Sequence, residues 1–419
     1  MRQDKLIDAL NFLDEDRVFE AMEVRDKKVK KRNFRYAGIA ACLCLTMITG
    51  IYFLKDRESA GGAENGENKA LTILGIFDKA ASAGGGAVYL PDIENFDDGN
   101  PWEQGKIPET LPVFKNNEYF PAGEPVSGLS EEEMEKKLRD AAMVLGVEAG
   151  TIEREIVDLS AVYENYTFEK ETTGETDRKY PSEEKLKNFD GLISLSIREN
   201  GLEISISRDG RFSITSIDGS ETDCIAELPK EFFSDDGSSS DGQADLLLDF
   251  LVEEYGELFE FSNVKKISYI DTYINGETER VYEIYDGGKN YEEEIVNYGL
   301  GRARFAVSEG KLKGIYADGV LSCAEKVGDY PVISEEEAFE MLLRGEYIAS
   351  YTPEKIKEED VKKVEFEYSP GTESYLIPYY CFYVKDNSVY DAGDGHYILC
   401  MVPAIESKYI EGWPDMLKS

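Results

Sequence analysis

The side chains of this 419-residue chain that could do chemistry are few or poorly spaced for it. His396 is the single histidine, in DAGDGHYILC with Asp391 and Asp394 close by. One imidazole excludes a multi-histidine metal centre and leaves one candidate base for a Ser or Cys triad. The Gly- and Asp-rich residues before it read instead as a hairpin loop. Ser182-x-x-Lys185 and Ser262-x-x-Lys265 have a Ser–Lys nucleophile spacing, which a sequence with 31% charged residues produces by chance. Asp235, Asp236 and Asp241 cluster in SDDGSSSDGQAD, without the alternating acidic order of an EF-hand calcium loop. That stretch is expected to be a loop capping the next helix. Nucleophile-elbow, phosphate-loop and dinucleotide glycine patterns are all missing. Among 85 acidic residues no carboxylate pair for glycoside hydrolysis can be singled out. The sequence therefore predicts no catalytic residue, no metal site and no cofactor.

Six cysteines remain. Cys42 and Cys44 fall in an apolar run, while Cys224, Cys323, Cys381 and Cys400 follow it and allow three pairings. The disulfide expectation is Cys381–Cys400. A hairpin LIPYYCFYV…HYILCMVPA centred between Tyr390 and Asp391 sets Cys381 opposite Cys400, Phe382 opposite Leu399 and Tyr383 opposite Ile398. Directly opposed Cβ atoms lie about 4.5–5.5 Å apart, so only the closer, non-hydrogen-bonded kind of pair could form a bridge. The alternative is two free thiols buried as small apolar residues.

The elements that would position these groups begin with a membrane signal. Tyr36–Leu54 reads YAGIAACLCLTMITGIYFL, 19 residues without a charge, nearly enough for a helix to cross about 30 Å of hydrocarbon. Arg25, Lys27, Lys28, Lys30, Lys31, Arg32 and Arg35 precede it, which places the amino terminus in the cytoplasm. The run is too long for an ordinary signal peptide, although Ala60 and Ala63 offer a cleavage site; Ile39–Cys42 resembles a lipoprotein box but has too little apolar sequence before it. Ten of the 46 basic and eight of the 85 acidic residues precede Lys55, so the net charge of −39 belongs to the part beyond the span. Such a surface repels nucleic acid, which needs Lys and Arg to displace its counterions.

Residues 1–35 form the cytoplasmic tail, where Leu6, Leu10 and Leu13, then Val18, Phe19 and Met22, suggest two short amphipathic segments. Residues 55–110, with GGAENGEN and SAGGG, read as a flexible extracytoplasmic linker. Three α+β modules are expected beyond it, at 111–230, 241–330 and 331–419. Ser130 with Glu133 and Ser334 with Glu337 match capping boxes, and a third helix is expected from Asp245. Leu192 to Ile217 reads as a three-stranded meander turning at Asn200-Gly201 and Asp209-Gly210, with further hairpins at Asn275-Gly276, Glu309-Gly310 and Pro370-Gly371. The predicted fold class is α+β: one transmembrane helix followed by repeated helix-plus-antiparallel-sheet modules.

FRYAGIAACLCL, LPVFKNN and IPYYCFYVK…VPAIESKYI resemble single-pass envelope proteins of Gram-positive clostridia, some with the topology of anti-sigma factors. YPVISEEEAFEMLLRGEY followed by PYYCFYV is similar to PepSY-like and YycH/YycI-type regulatory domains. The tail lacks the His and Cys of a zinc-type anti-sigma domain. The resemblance implies a membrane-anchored, extracytoplasmic regulatory or sensory binding protein rather than an enzyme. Its partners would be a cytoplasmic regulator at the tail and a protein, peptide or envelope ligand outside. The rival readings are an envelope interaction protein whose tail is only an anchor and, more distantly, an extracytoplasmic hydrolase.

Overall fold

The computed structural model describes residues 71, 73–74, 87–115, 128–157, 191–217, 223–234, 238–273, 277–322, 324–349, 355–368, 375–386 and 395–414. Period-two alternation dominates them, and strands follow. In chain order they are β1 (Ala87–Tyr89), β2 (Thr110–Lys115), β3 (Ile152–Ile156), β4 (Leu192–Glu199), β5 (Leu202–Ser207), β6 (Phe212–Ser216), β7 (Ala226–Glu227) and β8 (Val264–Thr272). There follow β9 (Thr278–Asp286), β10 (Ala303–Ser308), β11 (Lys311–Ala317), β12 (Glu325–Pro331), β13 (Val361–Tyr368), β14 (Tyr375–Leu376), β15 (Pro378–Lys385) and β16 (His396–Pro403). Four α-helices lie among the described residues: α1 (Glu131–Leu145), α2 (Asp241–Tyr255), α3 (Tyr291–Leu300) and α4 (Glu335–Leu343).

Among the described residues the named strands all pair antiparallel. The largest sheet runs β3-β4-β5-β6-β11-β10-β9-β8, with β7 added at β11. A four-stranded sheet runs β1-β16-β15-β13, and a three-stranded one runs β12-β2-β14. Hairpin chemistry sets much of this locally. Asn200 and Gly201 have φ of 53° and 77°, and Glu309 and Gly310 have 53° and 70°, the left-handed conformations that two-residue hairpins require.

One face of the nine-stranded sheet carries Leu195, Ile197, Ile204, Ile206, Ile214, Ile315 and Phe305, each at most 1% exposed. Met134 and Leu138 of α1 and Leu247, Leu248 and Leu251 of α2 close that core. A fully buried aliphatic side chain contributes about 1.5–3 kcal/mol, so this face and its two helices account for much of the stability. Both helices start on a complete capping box, Ser130 with Glu133 and Ser240 with Gln243. The Ser334 hydroxyl likewise accepts from the Glu337 amide at the start of α4. A second core joins the two smaller sheets to α3 and α4 around Tyr330, Phe366, Tyr379, Tyr380 and Phe382. The Tyr380 hydroxyl donates to Ile333 O at 2.8 Å, and that of Tyr368 to Pro112 O at 2.7 Å.

The expected fold class requires correction. The architecture is mostly antiparallel sheet with few helices, not an α+β repeat of three modules. Strands expected in the first and second modules join one sheet because β6 pairs β11, matching Ile214 with Ile315 and Ser213 with Tyr316. Strand β2 leaves the first module to pair with β12 and β14. The physical reason is that an unpaired strand edge takes whichever matching strand is available, and alternation specifies a face but not a partner. Residues 55–110, expected as a flexible linker whose apolar piece ALTILGIF could be a strand or docking segment, are packed in part. Leu74 is fully buried and bridges Ile410, β1 pairs β16, and Asn100 donates through Nδ2 to Phe366 O at 3.2 Å. Among the described residues no helix is long and apolar enough to cross a membrane. Tyr36–Leu54 and the tail 1–35 lie outside the described residues.

Candidate functional site

The outer face of the nine-stranded sheet is built by the same alternation that fills its core. From Ser194 on, every second residue is Ser, Thr, Arg or Glu in the outward positions of LISLSIRE, LEISIS and FSITS, and antiparallel pairing lines them up across strands. One cross-strand row passes through Glu153, Ser196, Ser205, Ser213, Tyr316, Arg304, Glu283 and Ile267, one residue per strand from β3 to β8. Its middle is hydroxyl-lined, with Ser205 Oγ and Ser213 Oγ sharing a hydrogen bond of 2.8 Å, and in the neighbouring row Ser194 Oγ donates to Glu155 Oε2 at 2.7 Å. Arg198 donates to Glu203 Oε1 through Nε and Nη2 at 3.0 and 2.9 Å, and its Nη1 lies 3.2 Å from Glu153 Oε2. Arg304 pairs with Glu279 at 3.1 Å, and Glu279 also accepts from the Tyr273 hydroxyl. Half-exposed pairs like these add little stability, but they hold the side chains in place.

Within the row of paired residues itself, Tyr316 is a large ring 43% exposed. It lies against Gly314, two residues earlier on the same face. A methyl group at Gly314 would fall 2.6 Å from Cε2 and Oη of Tyr316 and 2.8 Å from Cζ. Glycine inside a strand weakens it, and it marks places where something must approach the backbone closely. Here that is the Tyr316 side chain.

Beyond Arg304 the row passes under β13 and the 96–100 loop and becomes a buried ionic cluster. Glu283 is 7% exposed and pairs with Arg302 at 3.2 Å, and the Arg302 guanidinium lies 4.9 Å from the Tyr298 ring centroid. On β13, Glu365 pairs with Lys363 at 2.9 Å and accepts from the Tyr383 hydroxyl at 2.7 Å. Lys363 also donates to Phe96 O at 2.8 Å. Burial, with repulsion from Asp98, pushes the Glu365 carboxyl up to about 7 against the pull of Lys363 and Tyr383. Burial raises Glu283 as well, opposed by Arg302 and Arg304, and raises Glu367, opposed by Arg302. Carboxyls outnumber the cations beside them, so this cluster is suited to holding protons rather than to binding an anion.

The residues singled out from the sequence are not brought together. Strands β15 and β16 do pair as expected, but one residue out of the expected register: Cys381 faces Met401 and Cys400 faces Phe382. Adjacent positions point to opposite faces of a sheet, so the two sulfurs lie on opposite sides, and both cysteines are free and buried. The Cys381–Cys400 bridge is therefore corrected to two separate thiols. Cys381 Sγ instead donates to Glu367 Oε1 at 3.6 Å, and burial holds both thiols protonated and unreactive. Alkylation under native conditions is expected to be slow at both, and peptide mapping without reductant to recover each singly; a Cys381–Cys400 linked peptide would contradict the register. His396 starts β16 with its ring 4.8 Å from that of Tyr89, while Asp391 and Asp394 lie outside the described residues. Ser262 Oγ donates to Asp286 at 3.1 and 3.2 Å, so the Ser262–Lys265 spacing assembles no nucleophile. Asp241 pairs with Arg280, and among the described residues no group of acidic, His or Cys side chains could hold a metal ion. Cys224 is a half-buried free thiol; Cys42, Cys44, Cys323, Ser182, Lys185, Asp235 and Asp236 lie outside the described residues.

Sequence reasoning missed the outer face, although its signal is plain: Ser or Thr at alternate positions on three successive strands. It missed the ionic cluster because Asp98, Glu283, Arg302 and Glu365 are scattered over 268 positions of the chain.

No family model and no curated protein matches the chain. Among solved structures, it is similar to an uncharacterized protein from Eubacterium rectale. The two are 10% identical with a TM-score of 0.33, over 71% of this chain and 84% of that one. A likeness this distant carries no argument about fold or function.

Proposed function

We propose that the chain is a membrane-anchored extracytoplasmic binding protein of regulatory or sensory type, presenting the outer face of the nine-stranded sheet to its ligand. The observation that carries this reading is that face: ordered hydroxyls and ion pairs around a half-exposed tyrosine, on a rigid sheet whose other side is core. Rigid scaffolds with a few fixed polar groups and an aromatic ring suit recognition. The charge-free Tyr36–Leu54 stretch and its basic flank support anchoring, with the tail reaching a cytoplasmic regulator. The resemblance to PepSY-like and YycH/YycI-type domains supports a regulatory role. Protease added to intact, wall-free cells is expected to digest residues beyond Leu54 and to spare an epitope within the first 30 residues. Digestion of that epitope, with the later residues protected, would overturn the reading.

A further inference from the structure

We infer that the ligand of this outer face is an uncharged polysaccharide, stacked on Tyr316 and hydrogen-bonded along the serine row; the inference rests on the binding reading above. Three observations lead to it. The first is the lining. Ser and Thr hydroxyls both donate and accept, as sugar hydroxyls do, so Ser194, Ser196, Ser205, Ser213 and Thr215 can match a polyol in either sense. The Arg198–Glu203 and Arg304–Glu279 pairs add planar donors and acceptors already fixed in orientation.

The second is charge. On this side of the sheet each of these cations is already matched by a carboxylate, Arg198 by Glu203 and Glu153, Arg304 by Glu279, and Lys311 and Lys313 by Asp223, and the chain as a whole carries −39. A polyanion would be repelled, whereas a neutral glycan needs no counter-charge. The cations here are engaged by neighbouring carboxylates, so an added anion would have to compete for them.

The third is Tyr316. A face that was merely solvated would need no large ring, nor a glycine beneath it. With Gly314 under its side chain, Tyr316 rests against the sheet and keeps much of its surface open for C–H groups of a sugar ring. From Ser196 to Tyr316 the row crosses three inter-strand steps of about 4.8 Å, roughly 14 Å in all, which suits an oligosaccharide better than a single sugar.

The test is calorimetric titration of the full-length chain in detergent with cellohexaose, chitohexaose and mannohexaose, with heparin as the polyanionic comparison. Saturable binding to at least one neutral hexaose is expected, with none to heparin. Tyr316→Ala should weaken it at least tenfold while the variant still folds cooperatively. Tyr316→Phe should retain most of it, and Gly314→Ala should weaken it by displacing the ring. Undiminished binding by a folded Tyr316→Ala variant would overturn the inference, as would failure of all three hexaoses to bind the folded wild-type chain. Should a purified envelope protein or peptide bind instead and be lost with Tyr316→Ala, the glycan assignment falls while the binding reading stands.

Discussion

A Glu365→Gln variant is expected to lose a fall in stability that the wild-type chain shows as pH rises from about 4.5 to about 7, worth on the order of 2–3 kcal/mol. Glu365 lies on β13 and is 2% exposed. Lys363 of the same strand, Tyr383 of β15 and Asp98 of the 96–100 loop face it, with Glu367 two positions along. Burial is the largest influence and raises the folded carboxyl above its unfolded value. The folded state therefore holds the proton more tightly through that window. The stabilising contribution is complete below the unfolded pKa and disappears as pH climbs through the folded one. Glutamine carries no proton to lose, so the difference in unfolding free energy between wild type and variant should change by that amount across the window. Urea melts at pH 4.5, 6 and 8 would measure it; a difference independent of pH would refute the assignment. Lys363→Met should act in the opposite sense. Removing the cation leaves the carboxylate buried without its ion-pair partner, which costs about 3–5 kcal/mol near pH 8 and less near pH 5, where Glu365 takes up a proton.

Valine in place of Gly299 should destabilise the fold by about 3 kcal/mol, the upper end of the usual cost of overpacking. Gly299 sits near the end of α3, where the helix meets the backbone of β13. An added Cβ would lie 2.7 Å from Tyr368 Cβ, 2.8 Å from Tyr368 N and 3.0 Å from Tyr368 O. Backbone cannot move aside as a side-chain tip can, and Tyr368 is fixed further by its hydroxyl on Pro112 O. Even Gly299→Ala should destabilise, against the gain of up to about 1 kcal/mol that alanine brings to an ordinary helix position. Gly242 of α2, with nothing within 4 Å of its added Cβ, is the control, and Gly242→Ala should be neutral or stabilising. Equal effects at the two glycines would show that α3 does not pack on β13 this closely.

Local features were legible in the residues. The capping serines, the meander with its Asn200-Gly201 and Asp209-Gly210 turns, and the antiparallel pairing of LIPYYCFYV with HYILCMVPA all follow from short-range chemistry. Side-chain volume, turn dihedrals and hydroxyl-to-amide bonds act within a few residues, so each leaves its mark in one stretch. The Cys381–Cys400 register shows the boundary of such reasoning. Strand identity followed from composition, but a shift of one residue in register moves every opposed pair and turns the two thiols to opposite faces.

Fold class, the outer face and the ionic cluster were decided only in three dimensions. Alternation in β6 and β11 says that each has an apolar side, and nothing in either says that the other is its neighbour; that pairing merged two expected modules into one sheet. The charges of the cluster come from the 96–100 loop, β9, the start of β10 and β13, and their protonation depends on burial that no single segment supplies. What the sequence determined by itself is the alternation of the meander strands, the capped helix starts at Ser130 and Ser334, the uneven charge and the charge-free run Tyr36–Leu54, because these are sums over neighbours in the chain. The tertiary structure alone decided which faces are covered, since covering a face takes residues hundreds of positions away, and that leaves the serine row with Tyr316 open while Glu283 and Glu365 are closed off from water.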